Sequence, residues 1–353
     1  IMSIVAGLTG PAIDTSLVRF AVRHIGPDSD ESGPYFKFVL YLKLLVLLLT
    51  MAGALLLASP LHELLFAEDG AVHASSTGIL LAFFGGAVVS LWGFAQSYFQ
   101  AHQRFTYFAA YEFFSAFLRL VFVVALIALD YRSALLFLVF YVSAPLLMGV
   151  LAWRQVPAAL YRSSTSLQVG REFFSFAKWV LLATLCTTVT QRLDLLLLNA
   201  DIFGIPKASI GHYSAAISLV LAGELVLLTF YSVLLPKASA LRSAGELRAF
   251  IGQSRVPSML FCLGTSLMIP LAEPFRKLAF GEDFAGTEAF FTILLLGVIV
   301  SIATAPTVAA LYSLGQSRTI ALFELAKLGL TLGLGLYIIP RYGIYGMAWV
   351  TAG

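Results

Sequence analysis

The chain has 353 residues, 59% hydrophobic and only 12% charged, whereas water-soluble domains carry about 25% charge, so a soluble globular protein is excluded. The mean hydropathy is +0.91. The net charge of +3 is small, its cations lie mostly on one side of a membrane, and it does not point to nucleic acid. Cys186 and Cys262 both sit in apolar runs with no Cys or His at ligand spacing, so neither a zinc site nor a disulfide framework is expected.

A membrane-spanning helix needs about 20 mostly apolar residues. In chain order, that length predicts a partial helix at 1–22 and complete spans near 38–59, 77–100, 106–129, 133–153, 173–199, 209–235, 255–273, 289–313 and 319–339. A last helix begins near 344. The fold class is therefore an all-α polytopic membrane protein. The chain starts IMSIVAGLTG and stops GMAWVTAG, both within apolar stretches. No charged segment precedes a short apolar run, as a signal peptide requires. Both ends read as cuts through helices of a longer protein.

Loop charge orients the spans, because cytoplasmic loops carry the excess of Lys and Arg. One set of loops and flanks holds Arg19, Arg23, Lys37, Lys43, Arg104, Arg154, Arg162, Arg171, Lys178, Lys237, Arg242, Arg248, Arg255 and Arg318. The other holds Arg132, Lys207, Arg276, Lys277 and Arg341, together with acids such as Glu63, Glu68, Asp69, Glu282, Asp283 and Glu288. The first set is predicted to be cytoplasmic. Its longer loops fall at 154–172 and 236–255. The second of these can form a short amphipathic surface helix, although a solvated connector is the plainer reading.

Two stretches echo one another. YFQAHQRFTYFAAYEFFSAFLR (98–119) and YSLGQSRTIALFELAKLGLTL (312–332) each close a span with Tyr, turn through Gln and Arg, and re-enter with a glutamate, Glu112 or Glu324. The Arg-to-Glu spacing differs by two. An even number of helices separates the copies, as in a parallel repeat of two transporter halves.

Charged side chains within spans cost roughly 2.5–3.5 kcal/mol each on insertion and usually face a protein interior or a wet cavity. Here they are Asp14, Glu112, Arg119, Arg192, Asp194, Glu224, Glu324 and Lys327. They sample successive depths, as a transport path would and a single catalytic centre would not. In TQRLDLLLL (190–198), Asp194 shares a helical stripe with Thr187, Thr190 and Gln191, and Arg192 one with Thr184 and Thr188. The adjoining stripes make a polar face, either lining a cavity or locking helices through ion pairs. Glu112 and Arg119 share a face. Glu324 and Lys327 are three apart and spaced to pair, and Asp14 with Arg19, close to the cytoplasmic surface, is read as an ordinary helix-end pair. Glu224, in LVLAGELVLL, is read as a proton carrier or as the partner of a cation. The aromatic cluster from Tyr98 to Phe114 is read as interfacial belt and core. The five histidines are scattered over both sides, so no enzyme site is indicated, and no phosphate-binding loop implies ATP.

GLTGPAIDTSLVRFAVRH (7–24), the QAHQRF turn, TQRLDLLLL with the downstream GHYSAAISLVLAGELVLLTFYSVLLPKAS, and PRYGIYGMAWVTAG (340–353) together resemble a known family. It is the oligosaccharide flippases (O-antigen, Wzx-like) of the multidrug/oligosaccharidyl-lipid/polysaccharide exporter superfamily. The resemblance implies two pseudo-symmetric six-helix bundles around a central cavity, truncated here at both ends. It divides the chain into 1–153 as the first bundle, 154–172 as a cytoplasmic linker and 173–353 as the second. It also implies a non-enzymatic transporter, without cofactor or metal, that flips a polyprenyl-pyrophosphate-linked oligosaccharide by alternating access across a bacterial or archaeal cytoplasmic membrane. Partners then extend to polysaccharide polymerase or export machinery. Arg suits a pyrophosphate because its planar fork binds phosphate oxygens bidentately. On that reading Arg119, Arg192 and Lys327 attract the head group. Asp14, Glu112, Asp194, Glu224 and Glu324 are candidates for ion coupling or charge partners. The rivals are a multidrug-type cation antiporter, which favours an acidic cavity, a lipid II flippase, and a membrane glycosyl- or acyltransferase.

Overall fold

The computed structural model describes residues 10–26, 30–66, 76–131, 133–200, 203–241 and 243–353, and the side chains among them except those of 57–66, 76, 134 and 244. The charges of Glu63, Glu68, Asp69, Arg132 and Arg242 lie outside the described residues and side chains. Among the described residues all regular elements are helical, and eight helices are long and apolar enough to cross a membrane.

In chain order these are α1 (Pro11–His24), α2 (Gly33–Phe66), α3 (Ser76–Ala101), α4 (Phe105–Ala128), α5 (Ala134–Trp153), α6 (Ala158–Arg162) and α7 (Leu167–Leu198). They continue with α8 (Lys207–Ala240), α9 (Ala244–Gln253), α10 (Arg255–Ser266), α11 (Ala272–Phe280), α12 (Thr287–Ser313) and α13 (Ser317–Ala352). Within the loop at 236–255, where a solvated connector is the plainer reading of the sequence, α9 forms a short helix opened by Ser243, whose hydroxyl accepts from the Glu246 amide at 3.1 Å.

One expectation needs correction. The span predicted at 255–273 is α10 and α11 with a turn at 267–271 between them. Apolar composition does not read Pro270, which lacks an amide hydrogen and disfavours helical backbone at the residue before it. The helix expected to begin near 344 does so within α13, past a kink at Gly343, whose φ of 57° only glycine adopts without strain.

The chain forms two compact units, residues 1–184 and 185–353. Each has a central helix, α3 in the first and α12 in the second, and these are the most enclosed spans at 56% and 50% buried, against 11% for α4. In the first unit α1, α2 and α5 pack on α3, with Phe94 stacked on Trp153 at 5.0 Å and edge-on to Phe36. In the second, α8, α10 and α13 pack on α12 around Tyr213, Phe291, Leu295, Ile302 and Met347, all at 0% exposure.

Both central helices end in the same turn. Gln103 (φ 54°) and Gly315 (φ 79°) are left-handed. The Gln103 amide donates to Gln100 O at 3.0 Å and the Arg104 amide to Phe99 O at 2.8 Å. Likewise the Gly315 amide donates to Tyr312 O at 3.0 Å and the Gln316 amide to Leu311 O at 2.9 Å. This is a Schellman cap twice over. It pairs Gln103 with Gly315 and Arg104 with Gln316, so Glu112 and Glu324 each fall nine residues past the left-handed position. The two-residue mismatch in the sequence echo arose from matching Arg104 with Arg318.

The first unit also holds an enclosed ion pair. Lys43 Nζ lies 2.6 Å from Asp14 Oδ1, with the lysine side chain at 0% exposure and the aspartate at 19%. The ammonium also donates to Ser90 O at 2.6 Å. Gly93 leaves the room: a Cβ there would lie 2.5 Å from Asp14 Oδ2. Ser97 adds a hydroxyl beside the carboxylate. Two readings change as a result. Lys43 is no flanking cation but lies about 15 Å into α2, and Asp14 pairs with it rather than with Arg19. Arg19 instead stacks on Phe176, 4.2 Å from the ring centre. At the end of α3, the Asp30 carboxylate bonds the Ser32 amide at 3.0 Å and His102 at 2.9 Å. Burial opposes its charge, but these bonds outweigh it and hold the carboxyl below the usual range.

Gln103→Gly should raise stability, and Gly315→Ala lower it, by about 1 kcal/mol each, as read by thermal unfolding in detergent. Asp14→Asn or Lys43→Met alone should cost about 3–5 kcal/mol, because each leaves a buried charge unpartnered. The double substitution should cost far less than the sum, and strictly additive losses would refute the pairing.

Candidate functional site

Each of the eight ionisable residues expected within spans has a defined setting. In the first unit, Glu112 Oε1 accepts from Gln96 Nε2 at 2.9 Å and Trp92 Nε1 at 3.2 Å, both on α3. Arg119, seven residues on along α4, does not reach back to Glu112. It lies over the Tyr141 ring, 4.7 Å from the centre, with Nη1 3.5 Å from the phenol oxygen. Its Nε is enclosed without an acceptor.

In the second unit, TQRLDLLLL occupies the last turns of α7, and its polar face is divided. Asp194 is 1% exposed and Thr190 is buried, whereas Gln191 and Arg192 are exposed. Asp194 accepts from the Tyr213 hydroxyl at 2.7 Å and from the Leu195 amide at 2.7 Å. The Thr351 hydroxyl lies 3.4 Å from the same phenol oxygen. Because residues two apart sit about 200° around a helix, Arg192 must point away from the core that takes Asp194. It remains within electrostatic reach of both Asp194 and Glu224. Among the described residues, Glu224 has neither a hydrogen bond nor an ion pair.

Glu324 and Lys327 do not pair. Glu324 Oε2 accepts from Thr187 Oγ1 at 3.0 Å, a bond between α13 and α7, and Lys327 is exposed. The expected i,i+3 bridge gives way because the threonine meets the carboxylate from a packed neighbour, while lysine gains more from solvation.

A pattern follows. Three of the acids are held by neutral donors, a tryptophan and a glutamine, a tyrosine, and a threonine, and Asp14 is held by Lys43. The three cations Arg119, Arg192 and Lys327 have no carboxylate contact among the described residues. Neutral partners satisfy a carboxylate without cancelling its charge, whereas an unoccupied guanidinium fork offers parallel donors to an anion. Sequence reasoning missed Lys43, Trp92, Gln96 and Tyr213. Lys43 left a signal, a lone cation in FVLYLKLLVLLL. The other three are ordinary residues of apolar helices, identified only by what packs against them. Among the described residues no group of three or more His, Cys, Asp or Glu converges as a metal site would.

Comparison with known proteins bears on the fold and the family. A putative O-antigen transporter of Shigella flexneri is 23% identical over 180 residues, a match covering 50% of this chain and 42% of that protein. The chain thus spans about two-fifths of that relative. Among solved structures, a MOP superfamily transporter of Pyrococcus furiosus, described as having a binding pocket of reverse polarity, superposes with a TM-score of 0.80 at 14% identity. That likeness covers 99% of this chain and 80% of the other. A MATE transporter of Vibrio cholerae gives 0.81 at 15% identity, covering 99% and 82%. A lipid II flippase in an inward closed conformation gives 0.66 at 14%, covering 99% and 75%. At these identities the likeness concerns the fold, which is that of MOP superfamily transporters. A family model described as polysaccharide biosynthesis protein matches residues 1–241, well over half of the chain, and the protein belongs to that family.

Proposed function

We propose that this protein flips a polyprenyl-pyrophosphate-linked oligosaccharide from the cytoplasmic to the outer leaflet of a bacterial or archaeal cytoplasmic membrane, by alternating access, for polysaccharide export. The observation that carries the reading is an arginine in each unit that no carboxylate neutralises among the described residues. Arg119 and Arg192 are both on membrane spans and both lack a carboxylate contact among the described residues. A pyrophosphate is the anion their planar forks suit. Lys327 adds a point charge, and the isoprenoid tail stays in lipid throughout. The two arginines and Lys327 act in substrate translocation rather than in bond-making chemistry, so the protein is not an enzyme and needs no cofactor. Handover to a polymerase or to export machinery follows from what such a product is for.

The acids divide by role on this reading. Asp14 is the charge partner of Lys43, and Glu112 and Glu324 tie neighbouring helices through neutral donors. Asp194 and Glu224 are the coupling candidates, because both feel Arg192 without a direct contact to it. A multidrug-type cation antiporter, the nearest rival, would want the reverse, with open acids and occupied cations. Pocket polarity differs within this fold, as the description of the Pyrococcus furiosus transporter states.

Reconstituted in proteoliposomes, the full chain should flip a fluorescent pyrophosphate-linked polyprenyl oligosaccharide. Arg119→Ala and Arg192→Ala should each slow it tenfold or more, roughly the loss of one charge-assisted hydrogen bond, with melting temperatures unchanged. Exchange of an organic cation for sodium or protons, with no lipid movement, would favour the antiporter instead. Asp194→Asn should leave flipping intact and abolish its acceleration by an imposed pH gradient. Acceleration equal to wild type would remove Asp194 from coupling.

A further inference from the structure

A furrow of about 450 Å³ runs along the first unit between α3 and α5. Pro145 and Gly149 lie four residues apart on one face of α5 and line it, and Gly149 helps to make it because it projects no side chain into the gap. Opposite lies the Trp92 indole: a Cβ at position 149 would stand 3.6 Å from its Cε3. The indole nitrogen already donates to Glu112, so Trp92 offers the furrow carbon. Trp153 continues the same face, held against Phe94 on one side and tilted towards Tyr161 of α6 at 6.4 Å. From Pro145 to Trp153 the furrow extends about 12 Å along the helix. Its lining is apolar until Arg154, the residue after α5, which is exposed and has no ion pair among the described residues.

We infer that this furrow is a binding site for an anionic glycerophospholipid of the membrane, one acyl chain lying over Trp92 and Gly149 and the phosphate on Arg154. The dimensions and chemistry agree. The furrow is a groove along the outside of the helix pair, walled by Leu91, Leu146 and Val150, and reaches roughly the depth of one leaflet's hydrocarbon. Trp153, Tyr161 and Arg154 cluster at one end, where amphipathic rings and cations mark the level of the head groups. Loop charge makes that end cytoplasmic, the leaflet in which anionic lipids attract cations. One guanidinium and one phenol match one phosphate. A pyrophosphate bearing a glycan would need more donors than this lining holds, which separates the site from Arg119, Arg192 and Lys327. The site does not depend on which substrate is transported.

The test uses the full chain with Trp179→Phe and Trp349→Phe, which leaves Trp92 and Trp153 of the four tryptophans, in phosphatidylcholine vesicles. Phosphatidylglycerol carrying a dibrominated acyl chain should quench the remaining fluorescence at roughly one-fifth the mole fraction needed for the brominated phosphatidylcholine, the preference one such cation gives. Arg154→Gln, at an exposed position outside the packed core, should erase the preference and leave quenching by phosphatidylcholine unchanged. Gly149→Leu should fill the slot and weaken quenching by both lipids. Gly149→Ala, at ordinary contact distance from Trp92, serves with a smaller effect in the same direction if the leucine variant does not fold. Equal quenching by the two head groups, unaffected by Arg154→Gln, would overturn the site as ordinary bilayer contact. Relief of quenching by a minor fraction of unbrominated polyprenyl phosphate would overturn it in favour of the carrier lipid. Flipping is not read in this measurement, so failure of the transport proposal and failure of this one are separable.

Discussion

Hydrocarbon offers an ionised group nothing, so each charge on a spanning helix must be answered from another helix or face water. The Asp14–Lys43 pair shows how strongly that constraint shapes the first unit. Lysine from α2 and aspartate from α1 meet on α3, where Gly93 supplies the space and Ser90 and Ser97 supply polar atoms. The pair can form only if both helices approach α3 closely, and that approach needs small residues at the contact. A larger residue at position 93 would separate the helices and the charges together. Close packing and charge neutralisation are one feature in this unit.

The second unit meets the same constraint with neutral partners. Asp194 is answered by Tyr213 and by a backbone amide, and Glu324 by Thr187. A carboxylate held this way keeps its charge and can change protonation without an arginine being stranded. A buried ion pair loses that freedom, since protonating one member leaves the other alone. The difference separates residues suited to holding helices from residues suited to coupling. It also explains why Arg119, Arg192 and Lys327 carry the transport proposal: they are spanning charges that packing has left without a carboxylate among the described residues.

The duplicated cap ties the units to a common plan. In each, the most enclosed helix ends on a left-handed residue and the next helix begins two residues later, with a glutamate at the same point along it. The partners of those glutamates differ, Trp92 and Gln96 for one and Thr187 for the other. The plan persists in backbone geometry, which few residue types can satisfy, more faithfully than in side-chain contacts, which many can. Gln103 stands where Gly315 does, so residue identity alone misaligned the copies.

Hydropathy by itself determined that the chain crosses a membrane repeatedly. A span demands about 20 apolar residues whatever they pack against, and loop charge predicts which side is which. The sequence also singled out the eight spanning charges, because any such residue is conspicuous in an apolar run. Tertiary structure alone decided what those charges do. The break at 267–271 was invisible to composition, which does not weigh a proline's missing hydrogen bond. Lys43 passed for a flanking cation until α2 proved to begin ten residues before it. Asp194 and Arg192, two residues apart, went to opposite environments because an α-helix turns them to different sides. Partners come from other helices, and the sequence of one helix does not record what lies across from it.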